Sequence, residues 1–368
     1  MPETLSLIRP KADIVSATPA LDYSISVALP TVSALAAHLG LLDEELALEL
    51  DLDVTLSRRG SPVALRDPRR NDDYWIRDAE LTSTMRDRAA GGDSQLIALA
   101  FLEISSPVVT LTSSGIRSVA DLKGKRLGIV TTRDGFRDLG YARQLKVYTT
   151  ALSTVGLTLH DVRFVPFEED KTDLPAIRTK EKRIKTSLEI GKDIVERLKR
   201  SEFDAIAVDS ASDIAHHASV RVLYDTVEHP DYIARAHPDS LRGIVASGHL
   251  LRERRDFVVR VLARLLQAAD WAKAHPKDTT ATLAQSFASN FDELTGKYKN
   301  LNEGLQINLG VEKILSLKAH KNFLLRHRLI SKDFDIDSWL DHGPLVEANL
   351  LSVEWKKAGK CVKRKWAS

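Results

Sequence analysis

Apolar and polar positions along the chain switch repeatedly between a period of two and a period of 3.6, which predicts alternating strands and helices. Leu21–Ala28 alternates weakly and predicts a strand. Pro30 then opens a run in which Val32, Leu35, Ala36, Leu39 and Leu42 recur at helical spacing. Proline suits the first helical position because no amide donor is needed there. Leu50–Leu56 alternates as a second strand, and Glu80–Ala89 reads as a helix stopped by Gly91-Gly92. Leu96–Phe101 and Val108–Leu111 are apolar runs of β type. Ser118–Leu122 predicts a short helix, Gly124 a tight turn, and Leu127, Ile129 and Val130 a buried strand.

The helical period returns over Phe136–Val155, Ser187–Arg200 and Arg252–His275, the last with Phe257, Val261, Leu262, Leu265, Leu266 and Trp271 on one side. Strands are predicted at Val162–Phe167, Phe203–Val208, Arg221–Asp225 and Ile244–Ser247, and Leu283–Leu351 is helical with short polar joins. The pattern is that of an α/β protein. Residues 1–20 are polar and contain three prolines, which predicts a loosely held arm. Arg58–Arg77 and Lys171–Lys185 are dense in charge and read as loops, the second as a solvated insertion. The tail from Trp355 is basic and expected to fray.

Composition bounds the function. A chain of 368 residues suggests two domains. Fifty-three basic residues against 51 acidic ones leave a net charge of +2, which gives no general reason for nucleic acid as a partner. No run of about 18 apolar residues is present, so no membrane-spanning helix is expected. The N-terminal residues lack the basic and apolar regions of a secretory signal, so the expected location is cytoplasmic. The single cysteine, Cys361, stands among lysines near the C-terminus, and a solvated thiol is expected there. His216-His217 has no third ligand at helical spacing, so no metal is expected. There is no P-loop, no GxGxxG after a strand, no HExxH and no GxSxG, which argues against kinases and dinucleotide enzymes. The expected cofactor list is empty.

Candidate chemistry collects at strand ends. Tyr23, Ser24 and Ser26 precede a helix start, a place suited to anions. Among Arg66, Arg69, Arg70 and Arg77, one arginine in a cleft would bind a carboxylate, sulfinate or sulfonate with its planar fork. The structural alternative pairs Arg77 with Asp78 or Asp73. Thr131, Thr132 and Arg133 form a polar loop after a strand, where anion ligation and helix capping are equal alternatives. Asp209 and Ser210 follow the Phe203–Val208 strand, where open α/β sheets place ligand contacts.

Tyr23-Ser24, the run Ala34–Leu42 with its Gly40-Leu41-Leu42 end, and Leu50–Val54 are similar to the sulfonate, taurine and thiamine-precursor binding proteins. The helix–turn–strand at Ser118–Thr132 resembles part of the first lobe of their fold. Asn322–Leu329 followed by Ile336–Trp339, the step Arg77-Asp78-Ala79-Glu80 and the Phe203–Val208 strand resemble the 2′-hydroxybiphenyl-2-sulfinate desulfinase-like branch. The resemblance implies a two-lobed periplasmic-binding-protein-like type II fold with a C-terminal helical segment. Residues 1–20 would be an arm, 21–130 and 245–368 the first lobe, and 131–244 the second. It further implies a cytosolic lyase or hydrolase whose cysteine, histidine and arginine surround a sulfinate. The cysteine falls on Ser26 and the arginine on Arg77, so these two are the candidate catalytic residues. No histidine lies between His38 and His160 to match the third. Tyr23, Ser24, Thr131, Thr132, Arg133, Asp209 and Ser210 are the candidate binding residues. The alternative is a solute-binding protein without catalysis. Either way the expected partner is a small organic anion, bound by a monomer.

Overall fold

Among the described residues, strand pairing gives two five-stranded mixed sheets and a third sheet of two short strands. The computed structural model describes residues 20–26, 29–42, 53–59, 74–131, 139–168, 191–208, 214, 217–286 and 291–359. In chain order the elements are β1 (Ala20–Ser26), α1 (Val32–His38), β2 (Asp53–Arg59), β3 (Trp75–Glu80), α2 (Leu81–Ala89), β4 (Ser94–Phe101), β5 (Glu103–Ile104), β6 (Pro107–Leu111), β7 (Arg126–Thr131) and α3 (Leu139–Ser153). They continue through β8 (Arg163–Glu168), α4 (191–199), β9 (Ala205–Ala207), β10 (Val220–Asp225), α5 (Tyr232–Arg235) and β11 (Leu241–Ser247). The C-terminal part holds α6 (Gly248–Glu253), α7 (Arg255–Ala274), α8 (Pro276–Ser286), α9 (Phe291–Lys297), β12 (Tyr298–Lys299), α10 (Leu301–Gly304), α11 (Val311–Arg326), α12 (Ile336–Trp339) and α13 (Gly343–Lys357).

The first sheet has the order β2-β1-β3-β11-β4, with β1 parallel to β2 and β3, and β11 antiparallel to β3 and β4. One core joins this sheet to α1, α7, α8 and α13, through Leu35, Ile76, Ala98, Phe257, Leu262 and Ala348. A second core packs Leu81, Met85, Leu96, Phe323, Leu324 and Trp339 together, and the Trp339 indole donates to Ser94 Oγ at 3.3 Å. The C-terminal helices are thus fastened to the first sheet. The second sheet has the order β10-β6-β9-β7-β8, with β7 parallel to β8 and β9. Its two faces carry separate clusters, one around Tyr148 and Leu152 from α3, the other around Phe203 and Ile206 with Ile194, Val195 and Leu198 from α4. Gly128 lets the Phe203 ring lie against β7, since a Cβ there would come within 2.9 Å of it.

Two segments cross between the sheets, at 102–106 and 226–240, and they are bonded to each other. Leu102 N–H donates to the Ser240 carbonyl at 2.8 Å, Ser106 N–H to Thr226 Oγ1 at 3.1 Å, and Thr226 Oγ1 to the Ile104 carbonyl at 3.0 Å. Arg235 and Glu103 add an ion pair at 2.6 Å.

Two expectations are corrected. The chain leaves the first sheet after β4, not at 130, so β6 and the Ser118–Thr132 stretch with β7 belong to the second sheet. Local patterning specifies a strand but not its neighbours, and β6 finds its partners in β9 and β10. The loop expected through Arg77 ends earlier, because Trp75–Glu80 is a central strand. Its inward face, Ile76, Asp78 and Glu80, is buried although two of its three residues are acidic.

Each buried acid has a partner that the local sequence does not supply or disguises. Glu80 caps α2, accepting from the N–H groups of Thr82 and Ser83 at 2.8 Å each. Arg242 Nη2 donates to the Asp78 carbonyl at 3.0 Å and to Asp78 Oδ1 at 3.3 Å, with side-chain exposures of only 6% and 2%. Removing one member of a buried pair strands the other charge, at a cost of about 3–5 kcal/mol, whereas replacing both with apolar groups is often neutral. Asp78→Ala is therefore expected to lower stability by about 3 kcal/mol in urea unfolding, and Asp78→Leu with Arg242→Met by less. A cost below about 1 kcal/mol for the single variant would contradict the pairing.

His320 of α11 is wholly buried, with Nε2 at 3.2 Å from Thr82 Oγ1 and no partner for Nδ1 among the described residues. Burial, then the nearby Lys146 and His237, push its pKa down to about 3. Below about pH 6.5 the unfolded chain takes up a proton that the folded chain refuses. Stability from this site is full above that pH and is lost as pH falls toward 3, by about 1.4 kcal/mol per unit. His320→Gln is expected to flatten the stability profile between pH 6.5 and 4 by that slope. Parallel profiles for the two proteins would contradict it.

Candidate functional site

In an open sheet, a parallel strand is left at its carboxyl end by a crossover that covers one side or the other. Where two adjacent strands are left in opposite directions, a crevice remains between their ends, and ligands bind there. Among the described residues there are two such places. In the first sheet β1 leads through α1 to β2 on one flank, while β3 lies on the other. In the second, β7 leads through α3 to β8 on one flank, while β9 lies on the other. The crevices therefore lie between the ends of β1 and β3, and between the ends of β7 and β9.

The expected site residues fall along these four strands or directly after them. Ser24 and Ser26 are on β1, Ser24 paired in register with Arg77 of β3. Thr131 ends β7, half-buried, its Oγ1 3.5 Å from the Phe167 carbonyl. Thr132 and Arg133 follow β7, and Asp209 and Ser210 follow β9 by one residue; all four lie outside the described residues, as does Cys361. Arg77 is half-buried, and its guanidinium carbon stands 4.1 Å from the centroid of the Trp75 ring. The stacking holds a planar cation on β3, one of the two strands that border the crevice. Pairing of Arg77 with Asp78 is excluded in practice by the pleat: the two point to opposite faces, and Asp78 holds Arg242. Asp73 lies outside the described residues.

Tyr23 is not at the crevice surface. Its side chain is wholly buried and its hydroxyl donates to Ser33 Oγ at 2.8 Å. Burial, chiefly, raises the phenol pKa far above its ordinary value. A side chain so enclosed does not donate to a ligand, and the expectation for Tyr23 is corrected on that ground. A cavity bounded by Thr31, Val32, Asp78, Arg242, Leu305 and Ile307 measures about 10 Å³, which admits a water molecule and no organic acid.

Sequence reasoning missed the polar residues behind the second crevice. Gln144 and Tyr148, one turn apart on α3, are buried against β7 and β9 and bond to their backbones. A glutamine on the inward face of an otherwise apolar helix was the available signal. Nearby, Arg143 of α3 pairs with Asp239 of the crossing segment at 2.6 Å. Lys146 of α3 stands 5.7 Å from the centroid of the Phe323 ring of α11, and burial lowers its pKa to about 8. These contacts tie α3 to the crossing and to α11. No group of three or more His, Cys, Asp or Glu side chains able to hold a metal occurs among the described residues.

Comparison with known proteins gives the fold a setting. The desulfurization enzyme DszB shares 18% identity with a TM-score of 0.68, over 90% of this chain and 99% of the enzyme. A mutant of DszB in complex with biphenyl-2-sulfinic acid gives 17% and 0.65, over 91% and 99%. The periplasmic aliphatic sulphonate binding protein SsuA from Escherichia coli gives 16% and 0.59, over 88% and 97%. At these identities the likeness is one of fold, a two-lobed periplasmic-binding-protein-like α/β architecture with C-terminal helices. No curated protein matches in sequence. The family model described as NMT1/THI5 like matches residues 79–279, which run from the end of β3 into α8. The chain belongs to the NMT1/THI5-like family.

Proposed function

We propose that this protein binds a small organic anion, a sulfonate, sulfinate or carboxylate, in the cleft between its lobes. The observation that carries the reading is Arg77, a stacked, half-buried guanidinium on the strand that borders the first crevice. A guanidinium fork offers two parallel N–H donors to two oxygens of one head group. Stacking on Trp75 removes rotamer freedom that binding would otherwise cost. Ser24 and Ser26 lie on the adjoining strand and Thr131 ends β7, and these would be the anion's further partners, with Thr132, Arg133, Asp209 and Ser210, which follow β7 and β9 in sequence, as the remaining candidates. Closure of the lobes over the ligand then needs no chemistry. Two structures of similar fold contain such compounds, DszB with biphenyl-2-sulfinic acid and the alkanesulfonate-binding SsuA of Xanthomonas axonopodis pv. citri with MOPS.

Turnover is the second reading, a cytoplasmic desulfinase-like lyase or hydrolase. Its support is the fold likeness to DszB over nine-tenths of this chain. Ser26 would replace the cysteine expected of that branch, and a serine hydroxyl is much harder to ionise without a neighbouring base. The anion-binding reading stands without that step.

The test is a thermal-shift panel of methanesulfonate, benzenesulfonate, benzoate and biphenyl-2-sulfinate, with sulfite release followed for the last. A ligand at a hundredfold excess over its Kd is expected to add about 2.7 kcal/mol of stability. Arg77→Ala is expected to weaken binding roughly tenfold to hundredfold, the range for a hydrogen bond to a charged group. Its unfolding without ligand is expected to change little. Unchanged affinity in that variant would refute Arg77 as the anion partner, and sulfite release would favour the second reading.

A further inference from the structure

At the second crevice two side chains bond to backbone groups of β7 and β9 where a ladder would ordinarily continue. Pairing of β7 with β9 stops at Gly128 opposite Ile206. In this register Ala207 N–H faces the Gly128 carbonyl at the last pair and, one step on, Val130 N–H would face the Ala207 carbonyl. Instead the Tyr148 hydroxyl accepts from Ala207 N–H at 2.8 Å and donates to the Gly128 carbonyl at 2.5 Å. Gln144 Oε1 accepts from Val130 N–H at 2.7 Å, and its Nε2 donates to the Ala207 carbonyl at 2.7 Å. Each ladder position is filled by a group that both accepts and donates. Only such a group can satisfy a donor on one strand and an acceptor on the other.

The interruption of pairing is confined to this gap. On its other edge β9 runs on regularly beside β6, with Ala207 opposite Val108 and Val208 N–H donating to the Pro107 carbonyl at 2.9 Å. On its other edge β7 pairs with β8 as far as Thr131 opposite Glu168. Direct pairing therefore stops only between these two strands and only toward their carboxyl ends, at the place where the strand order reverses. Direct ladder bonds would satisfy the same four backbone groups without burying a glutamine amide and a phenol. The use of two polar side chains has one geometric result, which is distance between the strand ends. Burial keeps the Tyr148 phenol protonated and able to serve in this way.

We infer that Gln144 and Tyr148 are positioning residues, a polar wedge that spreads β7 and β9 so that the head group of an organic anion enters between Thr131 and Val208. The inference rests on the anion-binding reading above and names the residues that set the second half of its site. Tyr148→Phe and Gln144→Met keep the bulk of both side chains and remove the relay. With both changes the ladder is free to close.

The experiment is carried out on the full chain, with two readouts. A through-hydrogen-bond NMR coupling between Val130 N and the Ala207 carbonyl carbon reports whether the strands have joined. Titration with methanesulfonate, benzenesulfonate and benzoate reports affinity. The wild-type protein is expected to show no coupling, and the double variant to show it, with affinity reduced at least tenfold and the urea midpoint maintained. Gln144→Glu guards against failure of the double variant to fold, because a protonated carboxyl both accepts and donates as the amide does. Its affinity is expected to approach the wild-type value as pH is lowered and to fall as pH rises. A double variant with joined strands and unchanged affinity overturns the positioning role. Loss of affinity only in step with loss of the fold, and no pH dependence in Gln144→Glu, assigns the two residues to stability alone and overturns it too. A wild-type protein that binds none of the three probes overturns the anion reading itself, which the variants with unchanged affinity do not.

Discussion

A parallel strand cannot be followed by a hairpin, so the chain must travel over the sheet to reach the next one, and where two such paths diverge the strand ends stay uncovered. That constraint places the crevices of this protein. In each sheet the order reverses beside the first parallel strand of its set, β1 in one and β7 in the other. Every residue argued to meet ligand lies on, or just after, one of the four strands that border those reversals. The helices, cores and crossing segments serve to hold these two edges in a fixed relation within each sheet and in a bonded relation between them.

Polar groups in the interior do much of that holding. Arg242 grips Asp78 across β3 and β11, Glu80 turns β3 into α2, and Gln144 with Tyr148 keeps β7 from closing on β9. These are costly groups to bury, and each is placed where a strand approaches a crevice. Apolar residues would satisfy the packing at every one of these positions. What they would not supply is an end of strand with a defined direction, since hydrogen bonds are directional and hydrophobic contact is not.

The periodic parts of the chain were legible in sequence. The α7 stripe of Phe257, Val261, Leu262 and Leu265 is buried as its spacing predicts, and the strand of Leu127, Ile129 and Val130 is buried as its composition predicts. β3 was not legible, because its inward face reads Ile, Asp, Glu, and the residue that neutralises Asp78 lies 164 positions away. The change of sheet after β4 was hidden for a related reason: β6 carries no mark of which strands it will pair with. Tyr23 misled because a tyrosine near a strand end looks the same whether its hydroxyl faces a ligand or a serine on the next helix. Arg77 was found as a charge in a charged stretch; its stacking on Trp75, two residues back on the same face of β3, gives it a fixed direction.

The most direct test of the account is amide chemical-shift mapping of the full chain during titration with benzenesulfonate. Saturable shifts are expected to gather at Ser24–Ser26 and Arg77–Leu81 on the first sheet and at Thr131 and Val208 on the second, with the sheet edges remote from these ends undisturbed. Saturable shifts gathered elsewhere, or on one sheet alone, would contradict a ligand held between the two crevices.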